Sequence, residues 1–509
     1  MHKSDSRVRK AVINSGTAIA AQIVTLICGF ILPRLILSYF GSTYNGIISS
    51  ITQFTDCIIL LRAGVGGVTR AALYKPLAEH DTYKISGIVN ATQRFMQKVA
   101  LIFAGGLLVF ACIYPLAVRN EFDWWFSFSL VLILGISTFM QSYFGIAYQM
   151  LVNADQRSYV YSAITMCTIV LNTVIASILI VNGAEIRMVK LARALVFSIN
   201  PIVLNIYVSR GYHLNKRIPA DNLALKQRWD AFAQQVALFI TNNTDIIILT
   251  LFTNLKEVSV YTVYYMIAGN LKVLVQTLMT GIDAAFGNML AKKEFDNLKK
   301  SFSRFEFIIF SVSTFVFAAA LLLIEPFVMV YTRGVTDVNY SRTAFGVLLC
   351  LSQFLYCVRI PYQMLADAAG HFKQTRNGAV IEAAINVILS VVLVIRYGLI
   401  GVTIGTFCAM LFRTIQYSLY SSKVILKQKI LCFVKRMAVS IGEGVLIVIA
   451  FAAAKYTLFL NLQISYFGWM IQALFTSVVA FLVIFIGSYI FYKDDFKYYF
   501  SFFKKGLKK

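Results

Sequence analysis

Hydrophobic and polar positions in this chain alternate on a long wavelength, with apolar runs of about 20 residues or more broken by short polar stretches. A helix rises 1.5 Å per residue, so about 20 apolar residues cross the ~30 Å hydrocarbon core of a bilayer. Fourteen stretches meet or approach that length, near 11–40, 44–70, 97–117, 125–152, 158–182, 188–208, 231–253, 259–290, 305–331, 342–366, 376–396, 399–421, 437–458 and 467–491. The pattern predicts an all-α polytopic membrane protein with about 14 transmembrane helices.

Residues 148–181 return without a gap at 362–395, 214 positions later. Tyr148-Gln149-Met150-Leu151 recurs as Tyr362-Gln363-Met364-Leu365, and Asn172 as Asn386 inside an aliphatic stretch. Six predicted spans separate equivalent positions. Six is even, so the two repeats enter the membrane with the same orientation, and half-bundles of this kind suit an alternating-access transporter. The expected organisation is a six-helix lobe over 1–208, a polar cytoplasmic linker with Pro219 over 209–228, a second six-helix lobe over 229–421, an added helix pair over 422–491, and a basic aromatic tail over 492–509.

With 59% hydrophobic and only 14% charged residues, the composition is not that of a soluble globular domain. The net charge of +24 would suggest nucleic acid in a soluble chain; here its placement gives it another meaning, and no nucleic-acid partner is expected. Of the 47 Lys and Arg, 33 lie in one alternate set of inter-span segments, 8 in the other and six inside spans. The positive-inside rule then puts both termini in the cytoplasm. Arg187 and Lys190, in the turn over 183–190, run against this assignment. Seven of the eight cysteines lie in apolar segments without CxxC spacing, and the four histidines are far apart, so neither disulfides nor a metal site is expected. The first apolar run lacks a small-residue cleavage pattern, so no cleavable signal peptide is expected.

The candidate chemistry lies in charges that lipid would penalise by roughly 2.5–3.5 kcal/mol each at a helix centre. Arg34, Arg62, Lys272 and Arg359 are candidates for a cationic cavity that holds an anionic substrate, Arg by bidentate contacts and Lys as a point charge. Structural salt bridges between helices are the alternative. Arg193 and Arg413, in the last span of each lobe, are lesser candidates that packing or snorkelling would also explain, and Glu382 joins them. Asp56, Asn242, Asn243 and Asp245 are gating or ion-coupling candidates: the run Thr241-Asn242-Asn243-Thr244-Asp245 puts several oxygen ligands for a cation or proton on one helix. Interhelical hydrogen bonding serves the same run equally well.

Several motifs resemble the polysaccharide (O-antigen/Wzx-type) flippases of the multidrug/oligosaccharidyl-lipid/polysaccharide exporter superfamily. They are Asn14-Ser15, Tyr39-Phe40-Gly41 with Tyr44-Asn45-Gly46, Asp245 followed by Val258-Ser259-Val260-Tyr261, Leu365 to Gly370, Glu382 to Asn386, and Gly398 to Thr406. The likeness runs along the whole chain in a 6 + 6 + 2 plan of spans. It implies two lobes around a cavity that moves an undecaprenyl-diphosphate-linked oligosaccharide from the inner to the outer leaflet, with a groove for the lipid tail framed by the last two spans. A coupling cation (Na+ or H+) or the membrane potential would drive it, no cofactor would be needed, and the partners would be membrane lipids and polysaccharide polymerase machinery in a bacterial cytoplasmic membrane. A lipid II-type flippase or a multidrug exporter of the same superfamily is the alternative. A membrane polymerase or glycosyltransferase fits less well, because every external loop is short, and no enzyme activity is expected.

Overall fold

The computed structural model describes residues 2–59, 65–212, 214–215, 217–221, 243–277, 282–457 and 465–506. Among them there are helices and turns and no strand. In chain order the helices are α1 (His2–Phe40), α2 (Ser42–Ile59), α3 (Val65–Glu79), α4 (Thr82–Ala117), α5 (Trp124–Met140), α6 (Ile146–Ala154), α7 (Ser158–Val181) and α8 (Ile186–Gly211). They continue with α9 (Asn243–Phe252), α10 (Leu255–Thr277), α11 (Ile282–Ala291), α12 (Phe295–Tyr331), α13 (Thr343–Ala368), α14 (Phe372–Tyr420), α15 (Leu431–Thr457), α16 (Tyr466–Phe491) and α17 (Lys493–Gly506). A π turn over Gln141–Gly145 joins α5 to α6.

Among the described residues, eleven helices are long and apolar enough to cross a membrane. One of them breaks at Gly398, where φ of +53° turns the chain, and so supplies two crossings. With α2 and α9 at the second and seventh places, each of the fourteen predicted spans contains a described helix. The helices overrun the apolar windows: α4 starts at Thr82 and α12 at Phe295, because Lys84, Arg94, Lys299 and Arg304 continue the helix as polar turns that a hydropathy window does not register. Asp81 caps α4 by accepting the Lys84 backbone N–H, which holds its carboxyl below the usual carboxylate range.

Large apolar side chains point outward. Ile19, Ile23, Ile27 and Ile31 form an exposed stripe at i, i+4 spacing along α1, and Val170, Val174, Ile178 and Val181 one along α7. In water such patches would be a liability, whereas in lipid they are the solvated face.

The described chain forms two compact units, Met1–Ser259 and Val260–Lys509. In the first, Leu107, Leu130, Val131 and Ile180 pack α4, α5 and α7 together; in the second, Phe302 packs on Tyr362 between α12 and α13, and Phe345 of α13 packs on Tyr261 and Tyr264 of α10. The helix pair α15 and α16 packs on α12 through Ala318, Ile447, Ala480 and Ile484. The tail was expected as a basic segment after the last span; Asp495 ties its helix α17 to unit 2 by accepting from Ser303 Oγ at 3.2 Å and Arg436 Nη2 at 3.0 Å. Arg436 also pairs with Glu306 at 3.0 Å.

The sequence repeat is a repeat of backbone geometry. After α6, the N–H groups of Asp155, Gln156 and Arg157 donate to the carbonyls of Leu151, Asn153 and Val152; after α13, those of Ala369, Gly370 and His371 donate to Leu365, Asp367 and Ala366. Each atom pair recurs 214 positions on, and the left-handed residue of the turn, Gln156 (φ +58°), recurs as Gly370 (φ +72°). This is a helix stop that satisfies terminal carbonyls with a residue in αL. Asn14 secures the first copy, donating to Gln156 O and accepting from Tyr159 N, both at 2.9 Å.

Candidate functional site

The densest buried charge lies in unit 2. Glu382 on α14 accepts from Arg359 Nη1 of α13 at 2.6 Å and pairs through its other oxygen with Arg413 Nε at 3.3 Å. All three residues are buried. Arg413 also donates to Thr375 O at 3.0 Å, to Tyr417 OH at 2.9 Å and to Gln416 Oε1. One carboxylate between two guanidinium groups leaves a net positive charge, in a setting where removing a partner is more costly than having none.

A third cation adjoins this group. Lys272 Nζ lies 4.9 Å from the centroid of Tyr356, and Arg359 Cζ lies 4.6 Å from the same ring. Lys272 donates to Tyr265 OH at 3.4 Å, and Gln276 donates to Tyr356 OH at 3.1 Å. Both cations therefore rest on one aromatic face system within cation–π range. Arg359 and Arg413 are committed to Glu382, whereas half-buried Lys272 makes one long hydrogen bond among the described residues and pairs with no described carboxylate.

The gating candidates fall on a second feature, inside unit 1. Helix α2 runs antiparallel to α9 and the start of α10 along a seam of small polar contacts. Asn45 Nδ2 donates to Ser259 Oγ at 2.8 Å, Thr250 Oγ1 to Ser50 Oγ at 2.9 Å with Tyr114 OH also donating to Ser50 at 2.9 Å, and Gln53 Nε2 to Asn243 Oδ1. Asn45 and Ser259 are themselves 214 positions apart, the repeat interval. A Cβ on Gly46 would lie 1.8 Å from Leu255 O, so only glycine permits this approach. Asp245 is buried one turn before Leu249 on α9, and Asp56 is half-buried one turn beyond Gln53 on α2.

Arg34 is half-buried on α1, next to Pro33. Arg62 and Asn242 lie outside the described residues. Arg193 does not snorkel: its Nε donates to Asn172 Oδ1 at 2.8 Å, and Asn172 Nδ2 returns a bond to Arg193 O at 3.0 Å. The equivalent Asn386 donates to Thr406 Oγ1 at 3.0 Å, so the repeated asparagine ties the fifth to the sixth helix of each bundle.

One expectation is corrected. Lys190, counted as a loop charge, sits inside α8 with 4% of its surface exposed. Arg187 too lies in α8, at its second residue, where it pairs with Glu185 at the N-cap. The signal was a charge four residues into a helix whose apolar run the hydropathy pattern began too close to it.

An apolar groove of about 270 Å³ also opens in unit 2 between α12, α13 and α15, lined by Phe317, Leu321, Leu351, Phe354, Val445 and Val448 among others.

No protein-family model and no curated protein matches the sequence. Solved structures do match the fold. The lipid II flippase MurJ in an inward closed conformation aligns with a TM-score of 0.68 at 15% identity, over 95% of this chain and 99% of that one. The eukaryotic MATE transporter AtDTX14 aligns with a TM-score of 0.57 at 13% identity, over 81% and 95%. An inward-facing multidrug resistance transporter of the MATE family, from the MOP superfamily, gives 0.55 at 13% identity, over 81% and 98%. At these identities the likeness establishes the fold alone: a multi-pass helical membrane architecture.

Proposed function

We propose that the chain is a flippase that moves an undecaprenyl-diphosphate-linked oligosaccharide repeat unit across a bacterial cytoplasmic membrane by alternating access, for surface polysaccharide export. The observation that carries this reading is the end-to-end match to a lipid II flippase, 95% of this chain against 81% for the MATE transporters, a difference comparable in length to the helix pair over 422–491. A lipid-tailed substrate needs more apolar surface than a soluble drug. The groove bounded by α12, α13 and α15 offers it. The substrate's constant part is a diphosphate, which Lys272, supported by Arg359, suits by charge and donor geometry, with Arg34 and Arg62 as further contacts. The neutral Asn and Ser seam along α2 is then a closure on the outer side, and Asp245 with Asn242, Asn243 and Asp56 is the place for gating or for a coupling cation, Na+ or H+.

The test is made in cells that depend on the protein for surface polysaccharide. Lys272→Ala is expected to reach the membrane in normal amount, leave lipid-linked oligosaccharide on the inner leaflet, and recover only partly as Lys272→Arg. Full export by Lys272→Ala, with efflux of cationic dyes by the parent protein, would replace this reading with that of a multidrug exporter.

A further inference from the structure

Two of the cations of α8, Lys190 and Arg193, sit in a site that neither the fold nor the proposed transport reaction explains. Lys190 and Arg193, one turn apart, line an open cavity of about 300 Å³ between α1, α2, α7 and α8 within unit 1. Its polar wall includes Thr25, Ser49, Asn172 and Thr173, and no Asp or Glu lines it. Lys190 has no hydrogen bond or ion pair to any described residue, although it is 96% buried by its 4% exposure. Arg193 spends its Nε on Asn172 Oδ1, and its two Nη groups bond no described protein atom.

Two like charges at this spacing repel each other, and burial penalises both. The wall offers no carboxylate to offset the repulsion, and its one hydrogen bond to either cation is the one from Arg193 Nε to Asn172. The duplicated half of the chain shows that the architecture does not need them. Asn386 keeps the helix-to-helix bond of Asn172, but the positions 214 or 215 residues beyond Lys190 and Arg193 are Ile404 or Gly405 and Phe407 or Cys408, all uncharged. The second copy of this helix pair thus packs without such cations.

We propose that this cavity binds a small monovalent inorganic anion, of the halide class, between the Lys190 ammonium and the Arg193 guanidinium. The anion supplies the missing countercharge and accepts the idle N–H donors. Asn172 acts as a positioning residue, holding the guanidinium by Nε so that its Nη edge stays free. Apart from Asn45, whose amide donates to Ser259, the remaining wall, with Gly29, Leu32, Ile48, Ile169 and Phe197, is apolar. A weakly hydrated monovalent ion tolerates such a wall, whereas a phosphate dianion would leave oxygens without donors. The inference is independent of the flippase reading, since it rests on no transported substrate.

The experiment uses the full chain in detergent with gluconate as the background anion. Chloride and bromide are expected to raise the unfolding temperature saturably, and ³⁵Cl line broadening is expected to report exchange at a bound site that bromide displaces. Lys190→Met should weaken chloride binding about tenfold or more, the equivalent of losing one charge-assisted contact, while Lys190→Arg keeps it. If Lys190→Met fails to fold, the line-broadening competition on the wild-type chain and on Arg193→Gln decides. No halide effect on the wild-type chain, an effect unchanged in Lys190→Met or Arg193→Gln, or a response to phosphate alone would overturn the proposal.

Discussion

Glu382 holds two guanidinium groups at once, and that makes it the residue with the most to lose. Replacing it by glutamine leaves Arg359 and Arg413 buried with no countercharge, a change that typically costs about 3–5 kcal/mol. We expect Glu382→Gln to lower the unfolding temperature in detergent far more than Lys272→Gln, whose ammonium has no carboxylate to release; equal losses would mean that the triad carries no special load. The sequence named Arg359, Glu382 and Arg413 separately, because spacing along a helix gives no indication of which charges meet across helices. It missed Lys190 because a charge near a span's end reads as loop. Asn172 and Asn386, by contrast, were visible as repeated polar residues in aliphatic surroundings, and both turned out to tie neighbouring helices together.

At the scale of elements, the seam between α2 and the α9–α10 corner depends on close backbone approach at Gly46. Gly46→Leu must push α2 away from Leu255, an overpacking of the kind that costs about 1–3 kcal/mol. Ser50 is fully buried in this seam, so a cysteine there is expected to react slowly with thiol reagents in an otherwise cysteine-free chain and quickly once Gly46→Leu is added. Unchanged reactivity would show that the seam does not depend on the glycine. The repeated helix stop offers a second case. Gly370→Val places a β-branched residue at φ +72° and should destabilise the protein by about 1–2 kcal/mol, while Gln156→Gly, already left-handed at φ +58°, should be neutral or stabilising by thermal unfolding. The helices themselves were legible from apolar run length, and the duplication from the 214-residue interval. Their polar ends were not, since a helix that leaves the bilayer keeps its backbone hydrogen bonds while its side chains turn hydrophilic.

For the whole molecule, the fold is one also seen in flippases and exporters, and the charge distribution predicts which side each loop faces. Orientation is checked by impermeant thiol labelling of intact cells: a cysteine at exposed Thr336 should label from outside, and one at exposed Asp296 should not. Reversed labelling would exchange inner and outer faces throughout. The central claim is translocation itself, and reconstitution tests it most directly. Purified protein in liposomes carrying a fluorescent undecaprenyl-diphosphate-linked oligosaccharide in the inner leaflet is expected to expose that sugar to an external membrane-impermeant glycosidase or lectin, with Lys272→Ala slowing the exposure. Sugar that stays protected in liposomes containing correctly folded protein, under an imposed Na+ gradient, H+ gradient or membrane potential, would contradict the account.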